Sequence, residues 1–326
     1  MARVLVIGGT LFIGRALVER LLARGDEVVV LHRGRGTPFG ERVSEIRCDR
    51  NDVASVRRAL AGERFDVVYD NVYDWQRGTS AEQVLAAAEA VDPAPGRYVF
   101  TSSIAAYGGG TEHDEQDALA PADFPNPYGA QKAESERALF ARAGEGGPPV
   151  TTLRPAFVYG RHNPFDREAF FWDRIVAGRP VLIPGDGTRL MQWVLADDVA
   201  RAALAGADTP AAAGRAYNLG NSPPVTQVEF VELLARAAGR SVELVHVPRE
   251  RIQEAGGSLT QPPFYFGAYL DLPNLTVRTE RVRAELGLEL TPLEEGLRET
   301  YRWYERQQRP APDFSWEEKL LAELAR

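Results

Sequence analysis

Tyr128 and Lys132 stand four residues apart in the stretch Tyr128-Gly129-Ala130-Gln131-Lys132. On a helix that spacing sets a phenol and an ammonium on one face, about one turn apart. A free tyrosine has a pKa of about 10, too high to trade protons efficiently near neutrality. A fixed positive charge nearby favours the phenolate and pulls that value down. The pair could therefore serve as a proton-exchanging group, or simply decorate a solvated helix. Composition favours chemistry: of 38 Lys plus Arg only Lys132 and Lys319 are lysine. A compact ammonium has been kept where arginine is elsewhere the cation, and the two are not interchangeable at a tight site. Ser103 is the other candidate, placed to reach a substrate oxygen, with a role as turn former competing.

The elements that must position these groups follow from pattern. Asn126-Pro127 is a helix-start signal, and Ala130 to Phe140 is rich in helix formers. Val4-Leu5-Val6-Ile7 is a continuous apolar run of the kind a parallel strand buried on both faces shows. Gly8-Gly9-Thr10 follows, then a helix with Ile13, Leu17 and Leu21 on one stripe, stopped by Gly25, then a second strand from Val28 to Leu31. In that βαβ unit Gly8 permits a tight turn, Gly9 lets the backbone approach a pyrophosphate and Gly14 lets helix and strand pack closely. The whole run Gly8 to Gly14, with Thr10, Leu11, Phe12 and Ile13, is expected to line a dinucleotide, its phosphates at the helix amino terminus.

Further cofactor contacts are expected at the strand ends, where doubly wound sheets bind ligands. The second strand ends in His32-Arg33-Gly34-Arg35. It offers no acid for a ribose 2'-hydroxyl but two arginines for a 2'-phosphate, which favours NADP over NAD, although Arg33 and Arg35 could also be solvated loop charges. A third strand, Val43 to Cys48, leads to Asp49 and Arg50, with Asp49 placed to contact adenine. A fourth, Phe65 to Tyr69, ends in Asp70-Asn71-Val72-Tyr73. A helix from about Thr79 to Val91 leads to the strand Arg97 to Phe100, which opens into Thr101-Ser102-Ser103, and Val150 to Leu153 leads into Arg154-Pro155. Beyond these the pattern predicts a helix over Arg167 to Ala177, a turn at Pro184 to Gly187 and a short strand near Trp193. A helix over Asp197 to Ala205 and a strand over Ala216 to Leu219 follow. Thr226 to Ala238 is a capped helix, Val242 to Val247 a strand, and helices start near Thr279, Pro292 and Ser315. Residues 255 to 275 have no period and carry Phe264, Tyr265, Phe266 and Tyr269, a lid over a pocket or simple packing.

Composition is that of an ordinary globular chain, 44% hydrophobic and 26% charged, long enough at 326 residues for a large core. No apolar run approaches the roughly 18 residues needed to cross a bilayer. The amino terminus enters a strand with no cleavable signal. The single cysteine, Cys48, excludes an internal disulfide and fits a reducing cytoplasm. Four scattered histidines lack metal-ligand spacing, so no metal is expected. A net charge of -8 argues against nucleic acid as a partner.

Taken together, Gly8-Gly9-Thr10-Leu11-Phe12-Ile13-Gly14, Ser102-Ser103 before Tyr107-Gly108, Tyr128 with Lys132, Leu153-Arg154-Pro155 before Val158-Tyr159-Gly160, Trp193-Val194 before Asp197-Asp198-Val199, and Tyr217-Asn218-Leu219-Gly220 resemble the extended short-chain dehydrogenase/reductase superfamily, the NAD-dependent epimerase/dehydratase group. The resemblance implies a Rossmann-type doubly wound parallel sheet with helices on both faces and a smaller, interleaved C-terminal α/β substrate domain. It divides the chain into a dinucleotide domain over 1–160, also receiving about 190–222, and a substrate domain over 161–189 and 223–326. It implies Tyr128 as general acid/base, Lys132 as the group that lowers its pKa and holds the nicotinamide ribose, and Ser103 as orienter of the substrate oxygen. Thr101, Pro155 and Val158 would join the cofactor's surroundings. The expected substrate is a sugar nucleotide or related hydroxylated small molecule, and the expected assembly a homodimer through the helices beginning at Thr79 and Pro127. Three positions depart from the family pattern: Leu11 replaces a glycine, Asn71-Val72-Tyr73 replaces small residues, and Met191-Gln192 stands where an arginine commonly grips a diphosphate. The glycine variant looks more like the atypical subgroup that includes chloroplast stem-loop RNA-binding proteins, so a nucleotide-binding regulatory or RNA-binding protein without turnover is the alternative.

Overall fold

The computed structural model describes residues 1–165, 167–254 and 270–324. The first half alternates strand and helix: β1 (Arg3–Ile7), α1 (Phe12–Arg24), β2 (Glu27–His32), β3 (Ser44–Arg47), α2 (Val53–Leu60), β4 (Val67–Asp70), α3 (Ala81–Glu89), β5 (Arg97–Thr101). Then come β6 (Gly110–His113), α4 (Pro127–Gly144), β7 (Val150–Pro155), β8 (Phe157–Tyr159) and α5 (Arg167–Val176). β9 (Val181–Pro184), β10 (Leu190–Met191), β11 (Trp193–Leu195), α6 (Ala196–Asp208) and β12 (Arg215–Leu219) follow. β13 (Val225–Thr226), α7 (Gln227–Ala237), β14 (Leu244–Val247), α8 (Arg249–Glu254) and β15 (Leu275–Val277) precede helices Glu280–Leu286, Leu293–Tyr304 and Ser315–Leu324.

Seven strands form one sheet in the order β12-β7-β5-β4-β1-β2-β3, every pair parallel. Side chains alternate across a strand, and both faces of this one are covered, so the apolar run of β1 divides between two cores. Val4 and Val6 join Val28, Val30 and Val99 against Leu17, Val18 and Leu21 of α1 and Val199, Ala200 and Ala203 of α6. Leu5 and Ile7 join Val29, Leu31, Val68, Tyr98 and Phe100 against Val56 of α2, Val84 and Ala87 of α3 and Leu139 of α4. This is the doubly wound sheet expected from the sequence. A further apolar cluster gathers α5, β9, α7 and the two C-terminal helices around Phe171, Trp172, Trp193, Phe230, Leu297 and Leu320. Trp193 lies flat on Phe230 at 3.8 Å.

Several elements carry no expectation from the sequence, among them α2, β6, β8 and β9. α2 is short, and its start is marked by Asp52, whose carboxylate accepts from the Ser55 N–H at 2.9 Å. β6 pairs in parallel with β15 across more than 160 residues of chain, a contact between distant segments that no local period announces. The third strand is shorter than expected and begins at Ser44. The capping box at Thr226 and Glu229 is present. Most of the aromatic loop expected over 255–275, with Phe264, Tyr265, Phe266 and Tyr269, lies outside the described residues. Cys48 is buried, and burial raises its thiol pKa. Among the described residues no helix is long and apolar enough to cross a membrane.

Candidate active site

The site is assembled where α4 begins. The Asn126 side chain accepts from the Tyr128 and Gly129 N–H groups at 3.1 and 3.4 Å, and Pro127 opens the first turn, as expected of a capped helix start. Gly129 is required there: a Cβ would lie 2.4 Å from the Ala105 carbonyl oxygen. That close approach seats the helix on the single turn Ile104–Tyr107 that follows Ser103. The result is that the Ser103 hydroxyl, which accepts from the Ala105 N–H at 3.1 Å, stands beside the Tyr128 phenol and favours its ionised form. One turn further in, Lys132 is buried and donates from Nζ to the Thr101 carbonyl at 2.7 Å, at the carboxyl end of β5. Its ammonium also lies 4.6 Å from the Phe100 ring centre and 5.6 Å from that of Tyr73.

The electrostatics differ from the sequence expectation. Burial raises the Tyr128 pKa above its ordinary value, opposed by the Ser103 hydroxyl and the Arg167 guanidinium. The cation acting on the phenol is therefore Arg167, at the first turn of α5, and the lowering expected from Lys132 is not seen. Lys132 is itself perturbed, lowered to about 8, chiefly by burial, with Arg50 acting in the same direction and Asp70 and Glu136 opposing it. Arg167 escaped sequence reasoning because it belongs to no motif and comes from a distant helix. It donates to the Val158 carbonyl at 3.0 Å and lies over the Phe165 ring.

Gly8 has a φ of +85°, and a Cβ there would meet Val72 at 2.4 Å. A Cβ on Gly14 would lie 1.9 Å from the Gly8 carbonyl oxygen, so only glycine lets α1 start against the turn. A Cβ on Gly9 would lie 2.8 and 3.0 Å from Val18 and Val30, so its role is helix–strand packing, in addition to the close backbone approach expected of it. Leu11 is extended, with a φ of -135°, and needs no glycine. Its side chain is 58% exposed, so the substitution leaves the turn intact and changes the surface beside it. Thr10 completes the turn, Phe12 opens α1 with a φ of +49°, and Ile13 packs against the sheet core. α1 has no side-chain cap and no acid in its first turn, which leaves its N–H groups for an anion. Among the described residues the Asn71 side-chain amide nitrogen is buried without a partner, while its oxygen accepts from Thr101 Oγ1 at 2.5 Å. A glycine cradle, an uncapped helix start and an orphaned buried donor together fit a dinucleotide.

Several expected contacts are otherwise engaged. Asp70 is fully buried, paired with Arg50 and accepting from the Tyr98 hydroxyl at 2.7 Å; both charged side chains serve the fold beneath the crevice. Arg50 also donates to the Gln83 carbonyl. Asp49 pairs with Arg77 at 2.8 Å rather than standing free for adenine. His32 is buried, its ring bonded to Glu45 at 3.0 Å and accepting from the Gly34 N–H. Arg33 donates to Asp74 at 2.7 Å. Arg35 is exposed, and among the described residues its guanidinium meets no partner. Pro155 ends β7 in register with Leu219, and Val158 is buried in β8.

Behind the site lies a buried polar lattice. Glu136 on α4 accepts from Ser102, Thr152 and Arg154, and Arg154 Nη1 donates to the Tyr107 hydroxyl, which donates on to Asn218. It ties α4 to β5, β7 and β12, and loss of one charge would leave the other buried and unpaired. Arg189, close to Met191-Gln192, is paired with Asp271 at 3.1 Å, while Gln192 bridges Asn221 and Val277.

A parallel sheet with a phosphate turn at its switch point and a serine–tyrosine pair beside a buried lysine define a dinucleotide-dependent oxidoreductase-type site. The chain belongs to the NAD-dependent epimerase/dehydratase family, whose model matches residues 4–220, and it is an enzyme of that NAD-dependent type. It is 30% identical over 266 residues, 76% of this chain and 67% of the relative, to the chloroplast stem-loop binding protein of 41 kDa b from Arabidopsis thaliana. It superposes on the UDP-glucose 4-epimerase of Thermotoga maritima with a TM-score of 0.76 and 24% identity, covering 93% and 99% of the two chains. For the UDP-glucose 4-epimerase of Thermus thermophilus in complex with NAD the TM-score is 0.71 and the identity 26%, covering 94% and 100%.

Proposed function

We propose that the protein acts on a sugar nucleotide or related hydroxylated small molecule, with Tyr128 exchanging the proton of the reacting hydroxyl. The observation that carries this reading is the close seat of α4 on the turn after Ser103, which brings the Tyr128 phenol beside that hydroxyl, at the end of the sheet where Lys132 is held. The nicotinamide, when bound, supplies the acceptor or donor of the electron pair. The Tyr128 oxygen takes the proton from a substrate hydroxyl on oxidation and returns it on reduction, while Ser103 donates to the oxygen being transformed. Lys132 offers donors to the nicotinamide ribose. Residues 1–160 with about 190–222 hold the dinucleotide in this reading, and 161–189 with 223–326 form the substrate side. The epimerase of Thermus thermophilus, similar over nearly the whole chain, supports a sugar nucleotide. The net charge of -8 counts against RNA, despite the stem-loop binding relative. We propose also a cytoplasmic homodimer pairing through α3 and α4, which pack side by side.

Ser103→Ala tests the carrying contact. Its removal is expected to lower kcat by roughly ten- to a hundredfold with UDP-glucose or dTDP-glucose, the range of a modest acid/base contribution. Ser103 opposes the burial that raises the phenol pKa, so the same variant should shift the tyrosine limb of the pH–rate profile to higher pH. A profile and kcat unchanged from the wild type would remove Ser103 from the reaction.

NADP is proposed to be accepted as well as NAD, through Arg35. Because Arg33 is held by Asp74, Arg35→Ala should weaken NADP by about 1–2 kcal/mol, as loss of a charge-assisted contact does, and leave NAD unaffected. Titration calorimetry with each dinucleotide reads this; equal losses for both would place the arginine elsewhere than at the 2'-phosphate.

A further inference from the structure

Trp75 is an unusual residue to leave in water. It is 46% exposed, yet its ring is stacked on Tyr128, centroids 4.8 Å apart and planes 28° from parallel. Tyr73 and Phe165 meet it nearly edge to face at 5.1 and 5.4 Å, and Tyr73 also meets Tyr128 at 4.7 Å. These contacts hold one part of the indole and leave about half of it open to solvent beside the phenol.

The turn that carries Trp75 is built to hold it still. The buried Asp74 carboxylate accepts from the Gln76 and Arg77 N–H groups, both at 3.0 Å, and from the Arg33 and Arg77 guanidinium groups at 2.7 and 2.9 Å. The Asp74 carbonyl accepts from the Gly78 N–H at 2.8 Å, closing the turn. Gln131, the neighbour of Lys132 on α4, accepts from the Tyr73 hydroxyl at 2.8 Å and from the Thr79 N–H at 3.1 Å. The indole is therefore fixed against the same helix turn that presents the phenol and the ammonium. A half-exposed aromatic surface held this firmly beside a reacting group has the form of a binding surface.

We propose that Trp75 is the platform on which the pyranose ring of the substrate lies. This rests on the reading of Tyr128 as the proton-exchanging group, because a hydroxyl brought to that phenol places its carbon and the adjoining ring atoms alongside the indole. A pyranose presents a row of C–H bonds on one face and directs its hydroxyls outward at the rim. Stacked on Trp75 it buries the apolar face and keeps the rim free for Tyr128 and Ser103. Trp75 then contributes to selection of hexose-bearing substrates without taking part in proton exchange.

Calorimetric titration of the NAD-saturated protein with UDP-glucose, and separately with UDP, tests the platform. Trp75→Ala is expected to weaken UDP-glucose roughly tenfold, equivalent to about 1.4 kcal/mol, while UDP stays within about twofold, and Trp75→Phe should fall between wild type and alanine. An unchanged UDP-glucose affinity in Trp75→Ala overturns the proposal, and so does an equal loss for UDP, which would assign the indole to the nucleotide. Wild type that binds neither UDP-glucose nor dTDP-glucose overturns the platform and the sugar-nucleotide reading together. Trp75-dependent UDP-glucose binding alongside full turnover by Tyr128→Phe would keep the platform and remove only the catalytic role of the phenol.

Discussion

Tyr128→Phe is expected to lower kcat by about 10²–10⁴-fold, the usual contribution of a positioned acid or base, while leaving NAD affinity and the melting temperature close to those of the wild type. The substitution removes one oxygen and keeps the ring that Trp75 and Tyr73 pack against, so its effect is confined to proton exchange. The direction of the pH dependence follows from burial. Because the phenol pKa is raised, Tyr128 is protonated throughout the neutral range and is a ready proton donor for reduction. Oxidation requires the phenolate, so its rate should climb about tenfold per pH unit from pH 6 to 9, while the reductive rate stays flat. In Tyr128→Phe the oxidative slope should vanish. A variant that keeps more than a tenth of wild-type turnover, or keeps the slope, would show that another group carries the proton.

The parts of this site that could be read from the sequence are those fixed by local stereochemistry. Gly8 and Gly14 stand where a Cβ has no room, and that demand leaves a mark in the residue type. Lys132 was visible because the chain so rarely uses lysine, and the start of α4 because Asn126 and Pro127 are a capping signal. What stayed hidden depends on partners brought together by the fold. Arg167 acts on the phenol through its charge from a helix that begins 39 positions later in the chain and has no spacing that could reveal it. Asp70 and Asp49 stand at strand ends, as cofactor ligands do, but Arg50 and Arg77 claim them, and sequence shows an acid without showing who neutralises it. Trp75 is five residues beyond the end of β4, a place where an aromatic could equally have been packing, and only its stack on Tyr128 gives it meaning. α2 did carry a signal that went unread, an Asp52 cap followed by Val53, Val56 and Leu60 at helical spacing.

The same burial that governs Tyr128 makes Lys132 costly, which leads to an opposite pair of effects from one substitution. Lys132→Met should raise stability at pH 7 and abolish useful turnover. The ammonium has a folded pKa lowered from 10.5 to about 8, so the folded state binds the proton less tightly than the unfolded chain. Stability therefore increases as pH rises from about 8 to 10.5, where the unfolded chain still holds the proton and the folded one has released it. Below pH 8 the full penalty applies, about 3 kcal/mol for a displacement of that size. Methionine fills a similar volume without a charge to desolvate and loses the bond to the Thr101 carbonyl, worth about 1 kcal/mol, for a net gain of about 1–2 kcal/mol. Denaturant unfolding of both proteins between pH 7 and 10.5 should show the wild type closing that gap as pH rises. A lysine retained against such a penalty exchanges stability for function, so NAD affinity and kcat should both fall. A Lys132→Met protein less stable than wild type at pH 7, or a gap independent of pH, would mean that the ammonium is well solvated by its surroundings and that its place beneath Tyr128 costs the fold nothing.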